Sequence, residues 1–289
     1  MSGGEDGLYR LGYAGDTLNT AWNVRARLGA DWQVDYVTAL GDDIYSARMK
    51  AFFEANGIGT GRIRTIPNRR PGLYLIHQEQ GDRHFTYWRG QSAARQMADD
   101  PAALMAALAG ADIAYFSGIS LAILDPRARG KLMQAIHGAR QGGARVAFDP
   151  NERPALWTSP RVMASTISAA AIIADVVLPT FPDEAALFGD ASPEAVADRY
   201  LAWGAEEVVV KNGPEPAYVA TRQARGWVAP EPGALSVDPT GAGDSFNGAY
   251  LAARAQGASP LEAAAAGHAL ARIVIGHRGA LVPQQVLRG

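Results

Sequence analysis

The sequence contains no cysteine. Disulfide bonds, a cysteine nucleophile and thiolate zinc sites are therefore excluded, and a reducing compartment suits the chain. Net charge is almost absent: 27 Lys and Arg against 29 Asp and Glu give −2. A near-neutral chain exerts no bulk pull on nucleic acid or on an anionic membrane, so neither is an expected partner. A local cationic pocket for a small anion remains compatible with that balance. Long hydrophobic runs are missing too. The most apolar stretch, Ile167 to Pro179, is shorter than the ~20 residues that span a bilayer and contains Asp175. The opening, Met1 to Asp16, is rich in glycine and charge and has no apolar signal-peptide core. The expected location is the cytoplasm.

What is present is an ordinary globular composition of 289 residues, 48% hydrophobic and 19% charged, without repeats. That is enough chain for a single large domain. Short apolar runs, Val34–Ala39, Ile113–Ser117, Arg145–Asp149, Val176–Pro179 and Val208–Lys211, read as strands. They alternate with helical patterns at Thr17–Leu28, Tyr45–Asn56, Pro126–Gln141, Pro160–Ala171, Pro193–Trp203, Ala242–Ala255 and Pro260–Ile275. The alternation predicts an α/β fold, a mostly parallel sheet with helices on both faces. One region breaks it. Gly72–Gln78 and His84–Arg89 flank the polar run Glu79 to Arg83, which predicts an antiparallel hairpin inserted at about 70–90. Its aromatics, Tyr74, Phe85, Tyr87 and Trp88, fit either an edge hairpin or a small lid over a site.

The chemistry concentrates in Asp238-Pro239-Thr240-Gly241-Ala242-Gly243-Asp244-Ser245-Phe246-Asn247-Gly248-Ala249. Small residues at a helix start let backbone N–H groups approach an anion, and the helix dipole favours it. An acid one turn in, Asp244, can take a proton from an attacking hydroxyl during phosphoryl transfer. It can equally serve only the helix dipole.

The whole string resembles the second signature of the ribokinase-like, phosphofructokinase-B type carbohydrate kinases. The resemblance implies that Gly241, Ala242 and Gly243 form the anion hole for the transferring phosphate and that Asp244 is the catalytic base. No Gly-x-x-x-x-Gly-Lys-Ser/Thr loop is present, so a P-loop kinase is excluded. Ala14-Gly15-Asp16-Thr17-Leu18-Asn19-Thr20-Ala21 is similar to the family's first signature, which implies Gly15 and Asn19 at the sugar hydroxyls. Read alone, it is a loop-to-helix junction capped by Asp16 or Thr17. Val209-Val210-Lys211-Asn212-Gly213 resembles the strand end that approaches the nucleotide. The implied ATP site therefore takes Lys211, Gly213, Thr240, Gly241, Gly243 and His268. His268 on an apolar helix reads as readily as a packed core histidine. Arg278-Gly279-Ala280 resembles a monovalent-cation loop, implying K+ near Asp238 and Thr240. The resemblance covers about Tyr9 to Pro283.

Within the family, Arg70-Pro71-Gly72-Leu73-Tyr74, Phe85-Thr86-Tyr87-Trp88-Arg89 and the stretch Phe148 to Trp157 look like the 2-keto-3-deoxygluconate kinases. That implies a pocket for a sugar acid lined by Gly15, Tyr74, Tyr87, Arg89 and Arg153. A guanidinium matches a carboxylate with paired donors. Tyr87 and Arg89, at i and i+2 of a strand, share a face. The implied reaction converts 2-keto-3-deoxygluconate and ATP, with Mg²⁺, to the 6-phosphate. The alternatives are a kinase of a neutral sugar, fructose or ribose, or of a nucleoside, and a non-catalytic sugar-acid-binding protein. The aromatic lid suggests a homodimer through lid contacts.

Two departures stand out. Family members open with a buried strand, and Met1–Asp16 carries no such run. A gap beside Ile113–Ser117 or Val34–Ala39 is the expectation. The family's Asn-x-x-Glu magnesium motif is replaced by Pro179-Thr180-Phe181-Pro182-Asp183-Glu184. Asp183 and Glu184 are the candidates for acting through metal-bound water.

Overall fold

Five helix starts are written as a hydrogen-bond acceptor followed by proline. In Asp100-Pro101, Asp125-Pro126, Ser159-Pro160, Ser192-Pro193 and Ser259-Pro260 the first side chain accepts from the amide three residues on. Proline supplies a pre-set φ where no amide is needed. The computed structural model describes residues 2–3, 9–79, 82–233 and 235–288. Its strands are β1 (Ser2–Gly3), β2 (Tyr9–Arg10), β3 (Thr38–Leu40), β4 (Ile63–Thr65), β5 (Leu73–Glu79), β6 (Asp82–Trp88), β7 (Ile113–Ser117), β8 (Arg145–Asp149), β9 (Val176–Val177), β10 (Glu207–Asn212), β11 (Glu215–Thr221) and β12 (Arg225–Val228). Its helices are α1 (Asp16–Arg27), α2 (Ile44–Ala55), α3 (Pro101–Leu108), α4 (Gly118–Ala122), α5 (Pro126–Gln141), α6 (Pro160–Ile172), α7 (Phe181–Phe188), α8 (Pro193–Trp203), α9 (Ala242–Ala255), α10 (Pro260–Ile275) and α11 (Gln284–Leu287).

The main sheet runs β12-β11-β10-β9-β8-β7. Strands β7 to β10 are parallel, and β11 and β12 add an antiparallel edge. Both faces are covered. Phe116, Val146, Phe148, Val208 and Val210 bury against α5, α6 and α8. Ala147, Val209 and Val219 bury against Phe246 and Tyr250 of α9 and against α10. The near-continuous apolar runs of β8 and β10 follow from burial on two sides. On the second face α1 lies directly on α9. A Cβ at Gly248 would stand 2.5 Å from Asn23 Cβ, so only glycine permits that approach.

The hairpin is larger than the sequence indicated. Pairing runs from Leu73↔Trp88 to Glu79↔Asp82, so the ladder takes in Glu79, Asp82 and Arg83, which were expected in the turn. The remaining turn residues, Gln80 and Gly81, and the side chain of Phe85 lie outside the described structure. Strand β1 pairs with β5 and β2 with β1, giving a four-stranded sheet β2-β1-β5-β6. The described residues before Asp16 thus join the lid and not the main sheet.

Val34–Ala39 contracts to β3, which pairs with β4 in a separate two-stranded sheet. Strand β7 ends the main sheet. Among the described residues its second edge has no partner strand. A cavity of about 560 Å³ lies along that edge, lined by Ile113 to Phe116 on one side and Gln33 to Thr38 on the other.

Candidate active site

The parallel register sets Ser117 beside Asp149 at the carboxyl ends of β7 and β8, and an isolated bridge brings Lys211 of β10 to Thr180. Ligand sites of open α/β sheets form at such strand ends. The amino ends of α1 and α9 point at the same place. Asn19 Nδ2 donates to Asp244 Oδ2 at 2.8 Å. The two glycine-bearing segments, 225 positions apart, therefore meet.

Asp244 is pushed up to about 7, first by desolvation and then by the charge of Asp16, while the Asn19 hydrogen bond works the other way. A carboxylate with that proton affinity is a competent base near neutral pH. Asp16 is itself raised by burial, although Ser117 Oγ and Asn151 Nδ2 both donate to its Oδ2, the latter at 3.2 Å.

Beneath the pair lies a buried polar triad. Lys211 Nζ meets Asp149 Oδ2 at 3.0 Å and Asn247 Oδ1 at 3.1 Å, and Asn247 Nδ2 donates to Asp149 Oδ2 at 2.6 Å. Asn247 also donates to the hydroxyl of Tyr115, whose pKa burial raises well above its usual value. The ammonium lies next to the glycine run: a Cβ at Gly243 would stand 3.7 Å from Lys211 Nζ.

The run is held open by its neighbours. Gly241, the residue before α9, has φ +80, and a Cβ there would stand 2.8 Å from Ala280 Cβ. No side chain caps the α9 start; the Ala242 amide donates to the Pro239 carbonyl at 3.1 Å, which leaves those of Gly243 and Asp244 as the outward donors. Asp238 is buried and braces this loop, accepting from the Thr240 amide at 3.1 Å and the Gly279 amide at 2.7 Å.

The lid gathers a second group. Tyr74 and Tyr87 are directly paired across β5 and β6 with ring centroids 5.9 Å apart, and the Arg89 guanidinium lies 4.3 Å from the Tyr87 ring centre. Arg153 follows β8, exposed, with Nη1 on the Glu152 carbonyl at 2.6 Å. Its charge acts on half-buried Asp183, which also senses Asp149 and Lys211.

The two metal candidates separate. Asp183 stays on the site side. Glu184 is fully buried, accepting from Arg199 Nη2 and from the Tyr200 hydroxyl, each at 2.7 Å. The helical turn of α7 sends consecutive residues in different directions, so Glu184 cannot share the water-mediated role expected of both acids. Its neighbour Glu152 is buried, with no donor reaching either oxygen. Burial, and then the charge of Glu184, raise the pKa of Glu152.

His268 is a packed residue. It is buried, stands edge-on to Phe246 with ring centres 5.1 Å apart, and its Nε2 meets the Val228 carbonyl at 3.0 Å. Gly213 turns the β10–β11 hairpin with φ +60.

Sequence reasoning did not assign Tyr115, Ser117, Asp149, Asn151 or Asn247 to the site, and it read Asp16 only as a cap. Ser117 and Asp149 were accessible as polar ends of apolar parallel strands. Asn151 adopts φ +37, held by its amide on Asp149 Oδ1 and its side chain on Asp16. Such backbone clusters at functional sites.

An uncapped helix start, a carboxylate of raised proton affinity and a lysine at the ends of a parallel sheet are the elements of a phosphotransferase class of site. The pfkB family carbohydrate kinase model matches residues 5–286. The chain belongs to that family and is a carbohydrate kinase. It is 38% identical to 2-dehydro-3-deoxygluconokinase of Dickeya dadantii, over 96% of this chain and 91% of that one. Identity to the Escherichia coli K12 enzyme of the same name is also 38%, over 96% and 92%. The solved PfkB protein from Polaromonas sp. JS666 is 30% identical, with TM-score 0.79 over 94% of this chain and 87% of that one. Aminoimidazole riboside kinase from Salmonella enterica shares the fold, with TM-score 0.83 at 20% identity over 99% and 94%. No described helix is long and apolar enough to cross a membrane.

Proposed function

We propose that the protein transfers the γ-phosphoryl group of ATP to the 6-hydroxyl of 2-keto-3-deoxygluconate, also called 2-dehydro-3-deoxygluconate. The observation that carries this reading is Asp244, raised to about 7 at the uncapped start of α9. The hydroxyl oxygen bonds to the γ-phosphorus as the bond to the departing ADP oxygen breaks. The proton passes to the Asp244 carboxylate. The amides of Gly241 and Gly243 and the Lys211 ammonium stabilise the charge on the transferring group, while the Ala242 amide expected beside them is taken by the Pro239 carbonyl. Arg89 and Arg153 take the sugar carboxylate, and Tyr74 and Tyr87 wall the sugar. Gly15 and Asn19 lie on the hydroxyl side.

Mg²⁺, when bound, neutralises phosphate charge. The oxygen donors of Asp183 suit it through water, because Mg²⁺ keeps several waters. Glu184 does not fit, its oxygens being engaged. Thr240 and Gly213 belong to the nucleotide side of the proposal. His268 would contribute there through packing, and a monovalent cation near Asp238 and Thr240 completes it. Exposed Leu73, Tyr87 and Trp88 on the lid support dimerisation through that sheet.

The test is ADP release with 2-keto-3-deoxygluconate, fructose, ribose and adenosine as acceptors. The carboxylate contact, about 1.5–3 kcal/mol, favours the keto acid by about 10- to 150-fold in kcat/KM. Equal or better turnover of a neutral sugar would contradict the substrate, and no turnover of any of the four would place the acceptor outside them.

A further inference from the structure

We propose that Asp16 and Asp244 work as an acid pair, Asp16 being a positioning residue whose fixed negative charge tunes Asp244 to accept a proton. This deepens the reading of Asp244 as base and rests on it.

Asp16 opens α1, and Asn19 lies one turn further on the same face. Asn19 holds Asp244 at 2.8 Å, so the two acids flank it. Three elements converge on Asp16: its own helix, Ser117 at the end of β7, and Asn151 in the turn after β8. Both side-chain donors land on one oxygen, Oδ2, which fixes where the charge stands. Among the described residues no Lys, Arg or His pairs with Asp16. The ammonium of Lys211 is engaged with Asp149.

The groups facing Asp244 are Asp16 from α1, Asp149 from β8, Lys211 from β10 and the neutral Tyr115 from β7. Lys211 and Asp149 offset one another, which leaves Asp16 as the uncompensated charge. An unpaired neighbouring anion disfavours a second ionised carboxylate. The rise of Asp244 to about 7, with Asp16 as its largest charge contribution, agrees with that geometry.

Asp16→Asn isolates the charge. An asparagine can place its Oδ1 where Oδ2 lies and keep both the Ser117 and Asn151 hydrogen bonds. The measurement is a carbon-13 carboxyl titration of the aspartate-labelled full chain, with the Asp244 signal assigned by its loss in Asp244→Asn. The expected wild-type midpoint is about 7. In Asp16→Asn it falls by roughly one pH unit, and the acidic limb of kcat/KM for 2-keto-3-deoxygluconate moves down by the same amount. Asn151→Gly removes the longer, 3.2 Å anchor, suits the φ of +37 and keeps the Ser117 hydrogen bond that holds Asp16 ionised, so it leaves the midpoint in place. Asp16→Ser replaces Asp16→Asn should that variant fail to fold.

An unchanged midpoint in the neutral variant overturns the proposal, even where turnover drops. So does an equal fall in Asn151→Gly, which would mark a packing effect. Wild-type turnover in Asp244→Asn would remove the base reading instead, a result separate from the titration.

Discussion

Asn19, in the opening turn of α1, donates a 2.8 Å hydrogen bond to Asp244, in the opening turn of α9. This contact joins the segment assigned to the sugar hydroxyls to the segment assigned to the phosphate. It is backed by the close approach of the two helices at Gly248. In the proposed mechanism, attacking hydroxyl, base and anion hole are thereby placed by two helix starts, each with its own small-residue loop.

Gly241→Ala should fail on two counts. The residue has φ +80, which costs a side chain about 1–2 kcal/mol, and the added Cβ meets Ala280 at 2.8 Å. The expected outcome is a melting temperature at least ~2 °C lower, with a loss of kcat. An active variant of unchanged stability contradicts the tight loop.

Arg153→Ala and Arg89→Ala should raise KM for the keto acid and leave KM for ATP nearly unchanged. Loss of a charge-assisted hydrogen bond costs about 1.5–3 kcal/mol, or about 10- to 150-fold. Steady-state kinetics on both substrates checks this. If both variants keep wild-type KM, the carboxylate site lies elsewhere.

The buried Glu152–Glu184 pair makes stability depend on pH. Glu152 is raised in the folded chain, so its contribution is complete below the ordinary glutamate range and is lost as pH rises toward its folded value. Glu152→Gln keeps a donor toward Glu184 and has no proton to lose. Thermal melts at pH 6 and pH 9 should show the variant gaining on wild type at the higher pH. Parallel curves for the two proteins rule out a raised Glu152 as the cause.

We propose that the cavity beside β7 takes an extended apolar strand, because an unpaired strand edge leaves amides and carbonyls without partners. A chain carrying an added β-branched strand ahead of residue 1 should melt at least ~2 °C higher and protect the β7 amides from exchange. No change in either measurement contradicts the assignment.

Much of this was legible in the residues, and the reasons differ by element. Strands β7 and β8 matched to the residue because each is a short apolar run ending in a polar side chain at the site. Helices α5, α8, α9 and α10 matched because proline or glycine starts them and a polar turn ends them. Helix α7 was missed because Phe181-Pro182 reads as loop, although Pro182 in a first turn needs no amide partner. Glu184 stood beside Asp183 as a metal candidate because both acids fall where the family's Asn-x-x-Glu motif is expected, and the turn of α7 then separates them. At the site, Asp244, the glycine run, Asn19 and Lys211 stood out through the family signatures that their segments resemble. Tyr115 and Asn247 did not, since a tyrosine inside a strand and an asparagine inside a helix look like packing residues until their partners are known.

The most direct test of the account is the single-turnover rate of Asp244→Asn with 2-keto-3-deoxygluconate and ATP, measured beside substrate binding and a thermal melt. Asparagine keeps the size and the contact with Asn19 but is a negligible base. The account predicts a folded variant that binds both substrates and transfers phosphate ~10²–10⁴-fold more slowly. A rate within a few-fold of wild type would contradict Asp244 as the base and with it the mechanism.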